Sequence, residues 1–224
     1  MEDFVWIQTR DNSPTLWSNL LGEPFRSYKG AFSESWSVFV EPVIKRAQTK
    51  GLKTLSVAEF GLGLGTNWLF TVSAAAALGI TLEYWAIEKD LRAFELGLVR
   101  WKQSFQRVSE FFNQRAYSLD EAQWNLYLEN CLPKVYSSLE EAVAQAKPVD
   151  NWYHDPFGFS VNSDGYSEES LTLSSKLWTP NVLGLSYACN RHFQNVLEGL
   201  GMKVSLLDQH EADLKRQRLE FSAV

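Results

Sequence analysis

Glu59-Phe60-Gly61-Leu62-Gly63-Leu64-Gly65 sets three glycines at alternate positions directly behind an acid. Glycine accepts positive φ and lets a ligand come close to the backbone. The spacing is G-x-G-x-G, tighter than the G-x-G-x-x-G of a phosphate-binding turn. An acid just ahead of the turn would repel a pyrophosphate and attract a sulfonium or an amino group. A turn that only packs a strand against a helix is the plainer alternative. Glu88 follows at about the 20-residue offset where an acid at the end of a second strand accepts hydrogen bonds from ribose hydroxyls. An acid beside a helix N-terminus would also be favourable there without any ligand. Further on stands His154-Asp155-Pro156-Phe157-Gly158-Phe159. A carboxylate can accept an N–H hydrogen bond from a neutral amine, orient its lone pair and take its proton. Proline would fix the loop, and an aromatic face would pack on the substrate or on a developing cation. Asp-Pro and Gly are equally ordinary in a turn that merely ends a strand.

These residues need rigid elements to bring them together. The first 35 residues read as loop-like, punctuated by Pro14, Gly22, Pro24 and Gly30. Apolar residues from Trp36 to Ala47 recur at helical spacing and predict a helix over 34–48, ended by Gly51. Strands are expected over 54–60 and 82–87, with an alanine-rich helix over 67–78 between them. Helices follow over 91–101 and 108–112. Residues 124–128 and 133–136 are two competing strand candidates. A helix is expected over 139–146, a strand over 151–154, a helix over 167–177, a strand over 182–187 and a helix over 192–200. Residues 204–207 and 219–223 suit a terminal antiparallel hairpin. Strand–helix alternation predicts a mostly parallel α/β sheet with helices on both faces. In such sheets ligands bind at the carboxyl ends of the strands, near the point where strand order reverses. Glu59–Gly65, Glu88 and Asp155–Phe159 all fall at strand ends.

Together the three segments resemble S-adenosylmethionine-dependent methyltransferases. In particular, they resemble the methyltransferase part of the bacterial enzyme family that makes 5-methylaminomethyl-2-thiouridine at the tRNA wobble position. The family turn E-x-G-x-G-x-G-x-N is matched by Glu59, Gly61, Gly63, Gly65 and Asn67, and its second-strand E-K by Glu88-Lys89. The late segment D-x-F-x-P-x-x-N-P-[DE]-x-W is matched by Asp155, Phe157, Asn162 and Asp164. The N-terminal pattern D-G-S-x-T-L is met by Asp11-Asn12-Ser13-Pro14-Thr15-Leu16, followed by Arg26-Ser27, Gly30-Ala31 and Glu34. The departures are Phe159 and Ser163 for prolines, Tyr166 for tryptophan, and Tyr136-Ser137-Ser138 where the family has the G-D whose acid sits near the adenine. Glu129 could replace that acid only with a shifted alignment. The resemblance implies a seven-stranded, Rossmann-like methyltransferase fold in a single domain over 1–224. Residues 1–35 would extend over the cofactor site and 36–224 would form the core. It implies S-adenosylmethionine held by Glu59, Gly61, Gly63, Gly65, Asn67 and Glu88. Asp155 and Phe157 would serve catalysis on the aminomethyl group of a wobble uridine, with Asn162, Lys215, Arg216 and Arg218 toward the tRNA. No flavin-dependent oxidase domain fits in the length. Another amine substrate, or a catalytically silent binding module, are the alternatives.

Composition narrows the field. The chain has 224 residues, with 21 Lys+Arg against 27 Asp+Glu and a net charge of −6. That balance argues against coating nucleic acid by bulk charge but allows a local basic patch. Apolar content of 45% with nine Trp suffices for a buried core and excludes dominant disorder. Two cysteines and no C-x-x-C suit a reducing, cytoplasmic compartment. No apolar stretch is long enough to span a bilayer, and the acidic start lacks a signal-peptide pattern. The three histidines show no metal-ligand spacing. Cys189 has no readable base partner and reads as a small hydrophobe. Arg26, Lys29, Arg191 and His192 are further candidates for a substrate-side patch.

Overall fold

A computed structural model describes residues 3–208 and 217–223. The chain opens with three short antiparallel strands, β1 (Phe4–Gln8), β2 (Pro14–Ser18) and β3 (Glu23–Pro24), forming a small sheet of their own. This corrects the loop-like expectation for the first 35 residues. The segment is anchored by polar bonds. Asp11 Oδ1 accepts from Thr9 Oγ1 at 2.6 Å, and its Oδ2 accepts from the Ser33 amide at 3.0 Å. Ser13 Oγ accepts from the amides of Ala31 and Phe32, so it caps the helix that follows. Asn12 has φ +61°, a conformation that asparagine tolerates better than most residues.

Helical backbone then runs over 31–50. It comprises α1 (Ala31–Glu34), a π-helical turn over Ser35–Val40 and α2 (Glu41–Lys50), ended by Gly51 in the left-handed region. The core follows as β4 (Thr54–Phe60), α3 (Thr66–Leu78), β5 (Thr81–Ile87), α4 (Arg92–Lys102), α5 (Phe105–Asn113), α6 (Glu121–Asn130) and β6 (Lys134–Tyr136). Residues 124–128 are therefore helical, and the strand is the 133–136 candidate. Asp120 caps α6 by accepting from the Gln123 amide, and Trp124 and Leu128, one turn apart, are its buried residues. The remaining elements are α7 (Leu139–Gln145), β7 (Val149–His154), α8 (Glu168–Ser175), β8 (Trp178–Ser186), α9 (Arg191–Gly199), β9 (Met202–Asp208) and β10 (Gln217–Ala223).

The main sheet has the order β6-β5-β4-β7-β8-β10-β9. The first five are parallel, and β10 runs antiparallel between β8 and β9. Side chains alternate between the two faces. Leu55, Val57, Leu82, Tyr84 and Tyr153 pack into one cluster with residues of α2 to α6. Ala58, Trp85, Ile87 and Trp152 pack into a second with residues of α7 to α9. The chain leaves β4 toward β5 on one side and later returns to pair β7 on the other. The switch point of strand order therefore lies between β4 and β7, and there the site is built.

Candidate active site

Three strand ends meet at the switch point. The turn after β4 gives Gly61 φ +91°, Gly63 φ +52° and Gly65 φ +71°. Gly61 is the constrained one. A Cβ there would lie 2.6 Å from the Asp155 carbonyl oxygen, so the turn and the end of β7 pack backbone to backbone. The Gly61 amide donates to the carbonyl of Ile87, and the Asp155 amide to that of Phe60, tying the three strand ends together.

A cavity of about 920 Å³ opens over these ends. Its walls include Gly61 and Gly63 from the turn after β4, Glu88 just past β5, Asp155, Phe157 and Asn162 from the loop after β7, and Ser138 and Glu140 at the start of α7. Residues 23–27 of the N-terminal segment and Glu34 form another wall. The volume suits a nucleoside-sized ligand with part of a second molecule. Glu88 turns back on the glycine turn, where its Oε2 accepts from the Gly63 amide at 3.0 Å. Phe157 meets Phe25 edge to face, with ring centroids 4.9 Å apart. Asn162 Oδ1 accepts from the Gly165 amide.

Behind the wall lies a buried polar cluster. Glu59 has no exposed surface. Its Oε1 accepts from Asn67 Nδ2 at 2.7 Å, and its Oε2 from the Tyr84 hydroxyl at 2.7 Å. The same Asn67 amide nitrogen donates to Asp155 Oδ2 at 2.8 Å. Arg26 Nη2 also pairs with Asp155 Oδ2 and stands 3.8 Å from Glu59. Burial pushes Glu59 up to about 8, and the charge of Asp155 adds to the rise. Burial pushes Asp155 up to about 7, against the pull of Arg26. Burial disfavours the Arg26 cation, but Asp155, Glu34 and Glu59 outweigh it, and its pKa is raised. On the other face of the sheet His154 stacks on Phe193 at 4.7 Å, and burial lowers it to about 3.

Four of the site residues expected from the sequence do not line this cavity. Glu59 and Asn67 do not line the cavity. They lie behind it, with Glu59 fully buried and bonded to Asn67 and Tyr84. Gly65 caps α3 against the Phe94 ring and is not on the wall. Arg218 is committed to the fold. Its Nη2 donates to Glu220 at 2.8 Å and its Nη1 to the Ser37 carbonyl at 3.0 Å, and it is not among the residues that line the cavity. Lys215 and Arg216 lie outside the described residues. Glu129 sits in α6 away from the cavity, whereas Glu140 is on its wall next to the end of β6. The sequence marks Arg26 as part of the N-terminal family pattern and of a substrate-side patch, but not as a partner of Asp155, and it marks neither Tyr84 nor Glu140. Among the described residues, no group of three or more His, Cys, Asp or Glu is placed to hold a metal, and no helix is long and apolar enough to cross a membrane.

A family model described as S-adenosyl-L-methionine-dependent methyltransferase matches residues 100–221. The chain belongs to that family. The methyltransferase uses S-adenosylmethionine, and its fold is seen in one solved structure, with two more that are less similar. MnmC2 from Aquifex aeolicus superposes with a TM-score of 0.73 at 22% identity, over 99% of this chain and 71% of that one. The O-methyltransferase TomG from Streptomyces achromogenes, solved with SAM, gives 0.49 at 10% identity over 86% and 87% of the two chains. The SAH-bound methyltransferase PaMTH1 of Podospora anserina gives 0.47 at 12% identity over 82% and 77%. No curated protein sequence matches the methyltransferase.

Proposed function

We propose that this methyltransferase is an N-methyltransferase that acts on the aminomethyl group of a tRNA wobble uridine. Bound S-adenosylmethionine supplies an electrophilic methyl group on a sulfonium. The site's residues fit that cofactor: a glycine turn open to close approach, a carboxylate at Glu88 facing it, and a cavity large enough for a nucleoside. In this reading Gly61 and Gly63 admit the cofactor backbone-close, and Glu88 accepts from its ribose hydroxyls. Glu140, beside Ser138, takes the adenine side in place of the missing family acid.

The observation that carries the reading is Asp155. Asp155 lines the cavity beside the Gly61 turn, and Phe157 follows it on the same wall. A neutral amine there would donate N–H to Asp155 and give it the proton that methylation releases. A carboxylate held near 7 suits that proton transfer at neutral pH. The Phe25 and Phe157 rings would exclude water from the reacting amine. The late segment's likeness to the wobble-uridine family supplies the tRNA. On this proposal residues 1–224 form one domain, with 1–35 folded over the cofactor and 36–224 as the core. It works in the cytoplasm without metal or flavin.

The test is methyl transfer from labelled S-adenosylmethionine to tRNA bearing the aminomethyl nucleoside, read as the gain of one methyl on that nucleoside. Transfer should vanish on tRNA lacking the amine, and tRNA affinity should fall steeply with salt. Turnover on small amines with no tRNA binding would overturn the tRNA assignment. Full turnover by Asp155→Ala would overturn the role of Asp155.

A further inference from the structure

Arg26 reaches the polar cluster from outside the main sheet, on the segment after β3. Its guanidinium is buried, as are the three carboxylates around it, Glu34, Glu59 and Asp155. Both donors recorded on Asp155, Arg26 Nη2 and Asn67 Nδ2, sit on the same oxygen, Oδ2. Oδ1 carries neither, and Asp155 is on the cavity wall. A carboxylate gripped through one oxygen by two donors presents its other oxygen in a set direction.

We propose that Arg26 is a positioning residue for the methyl-accepting amine: by holding Asp155 through Oδ2 it keeps that carboxylate ionised and its Oδ1 turned to the amine. This rests on the role given to Asp155 above. The groups facing Asp155 are Arg26 and Glu34 from the N-terminal region, Glu59 from β4, Tyr166 and Tyr187. Neighbouring His154 is stacked on Phe193 on the opposite face. Arg26 is the group in this set that favours the ionised form by charge, so its loss raises the pH at which Asp155 ionises.

The test uses two probes that need no turnover. S-adenosylhomocysteine has no group at the methyl position, and sinefungin carries an amine there. Both are titrated calorimetrically into the full chain from about pH 6 to 9. In the wild type, preference for sinefungin over S-adenosylhomocysteine should grow about tenfold as Asp155 ionises, with a midpoint near about 7. In Arg26→Gln the midpoint should rise by about one pH unit or more. Arg26→Lys, which keeps the charge, should stay close to the wild type. An unmoved midpoint in Arg26→Gln, or Lys failing as badly as Gln, would overturn the proposal. If the Gln variant does not fold, Asp155→Asn decides: a flat preference supports the assignment, and one that still titrates overturns it. Tight S-adenosylhomocysteine binding with an unmoved midpoint removes only the role of Arg26. No binding of either probe at any pH removes the proposed function with it.

Discussion

The side-chain amide of Asn67, at the start of α3, donates to Asp155 Oδ2 at 2.8 Å, and the same nitrogen reaches Glu59 Oε1 at 2.7 Å. One amide therefore bridges the ends of β4 and β7 across the switch point. Asn67→Ala would leave two buried carboxylates short of a donor. We expect it to lower the unfolding free energy by about 1–3 kcal/mol, read from urea unfolding at neutral pH. Asn67→Asp should cost more, because it adds an acid beside two others. A neutral result for both would mean that Arg26 alone carries the cluster.

The acids behind and on the cavity wall should separate by experiment. Glu88 is partly exposed and lines the cavity, so Glu88→Ala should weaken S-adenosylhomocysteine binding by about tenfold or more while the melting temperature stays nearly fixed. Glu59 is buried and bonded to Asn67 and Tyr84, so Glu59→Ala should lower the melting temperature first. Calorimetry and thermal melts on the two variants check this. Equal affinity losses without destabilisation would place Glu59 in direct contact with the cofactor.

Gly61 is the position where the turn has least freedom. Its φ of +91° and the Asp155 carbonyl 2.6 Å from a hypothetical Cβ leave no room for alanine. Gly61→Ala should cost about 1–3 kcal/mol in backbone strain and push the turn from β7. Cofactor affinity should then drop together with stability. Gly79→Ala has a similar φ of +63° but nothing within 4 Å of its Cβ. It should lose stability and keep affinity, which makes it the control.

The elements that hold this site were legible where local pattern and tertiary environment agree. The β-branched run of β4, the glycine turn, the alanine-rich α3 and the placement of Glu88 and Asp155 at strand ends all follow from short-range rules. The N-terminal sheet was not legible, because β3 is two residues long and Pro14 and Pro24 read as loop punctuation while sitting in β2 and β3. Residues 124–128 carry strand-favouring aromatics, yet the Asp120 cap and the one-turn spacing of Trp124 and Leu128 make them helical. The role of Glu59 depended on which face of β4 it occupies. It shares that face with Val57, toward Tyr84 and Asn67, and so points behind the wall. Arg26 meets Asp155 only through tertiary folding, and no periodicity links them.

His154 gives the clearest pH signature. It is buried among Phe60, Tyr166 and Phe193, and burial lowers it from 6.5 to about 3. The unfolded chain therefore binds a proton below about pH 6.5 that the folded chain refuses, and stability falls as pH falls through that window. Integrated to about pH 5, the loss is about 2 kcal/mol. Glu59 and Asp155 run the other way. Their raised values make the folded chain hold protons that the unfolded chain releases, so their contribution falls as pH rises through about 7 and 8. Whole-protein curves mix these slopes, so the comparison must be with a variant. His154→Phe keeps an aromatic ring on Phe193 and removes the titration. Urea unfolding at pH 8 and at pH 5 should show the variant gaining about 2 kcal/mol on the wild type between the two. Parallel curves would mean that His154 is protonated inside the fold, with the backbone around Gly165 as its acceptor.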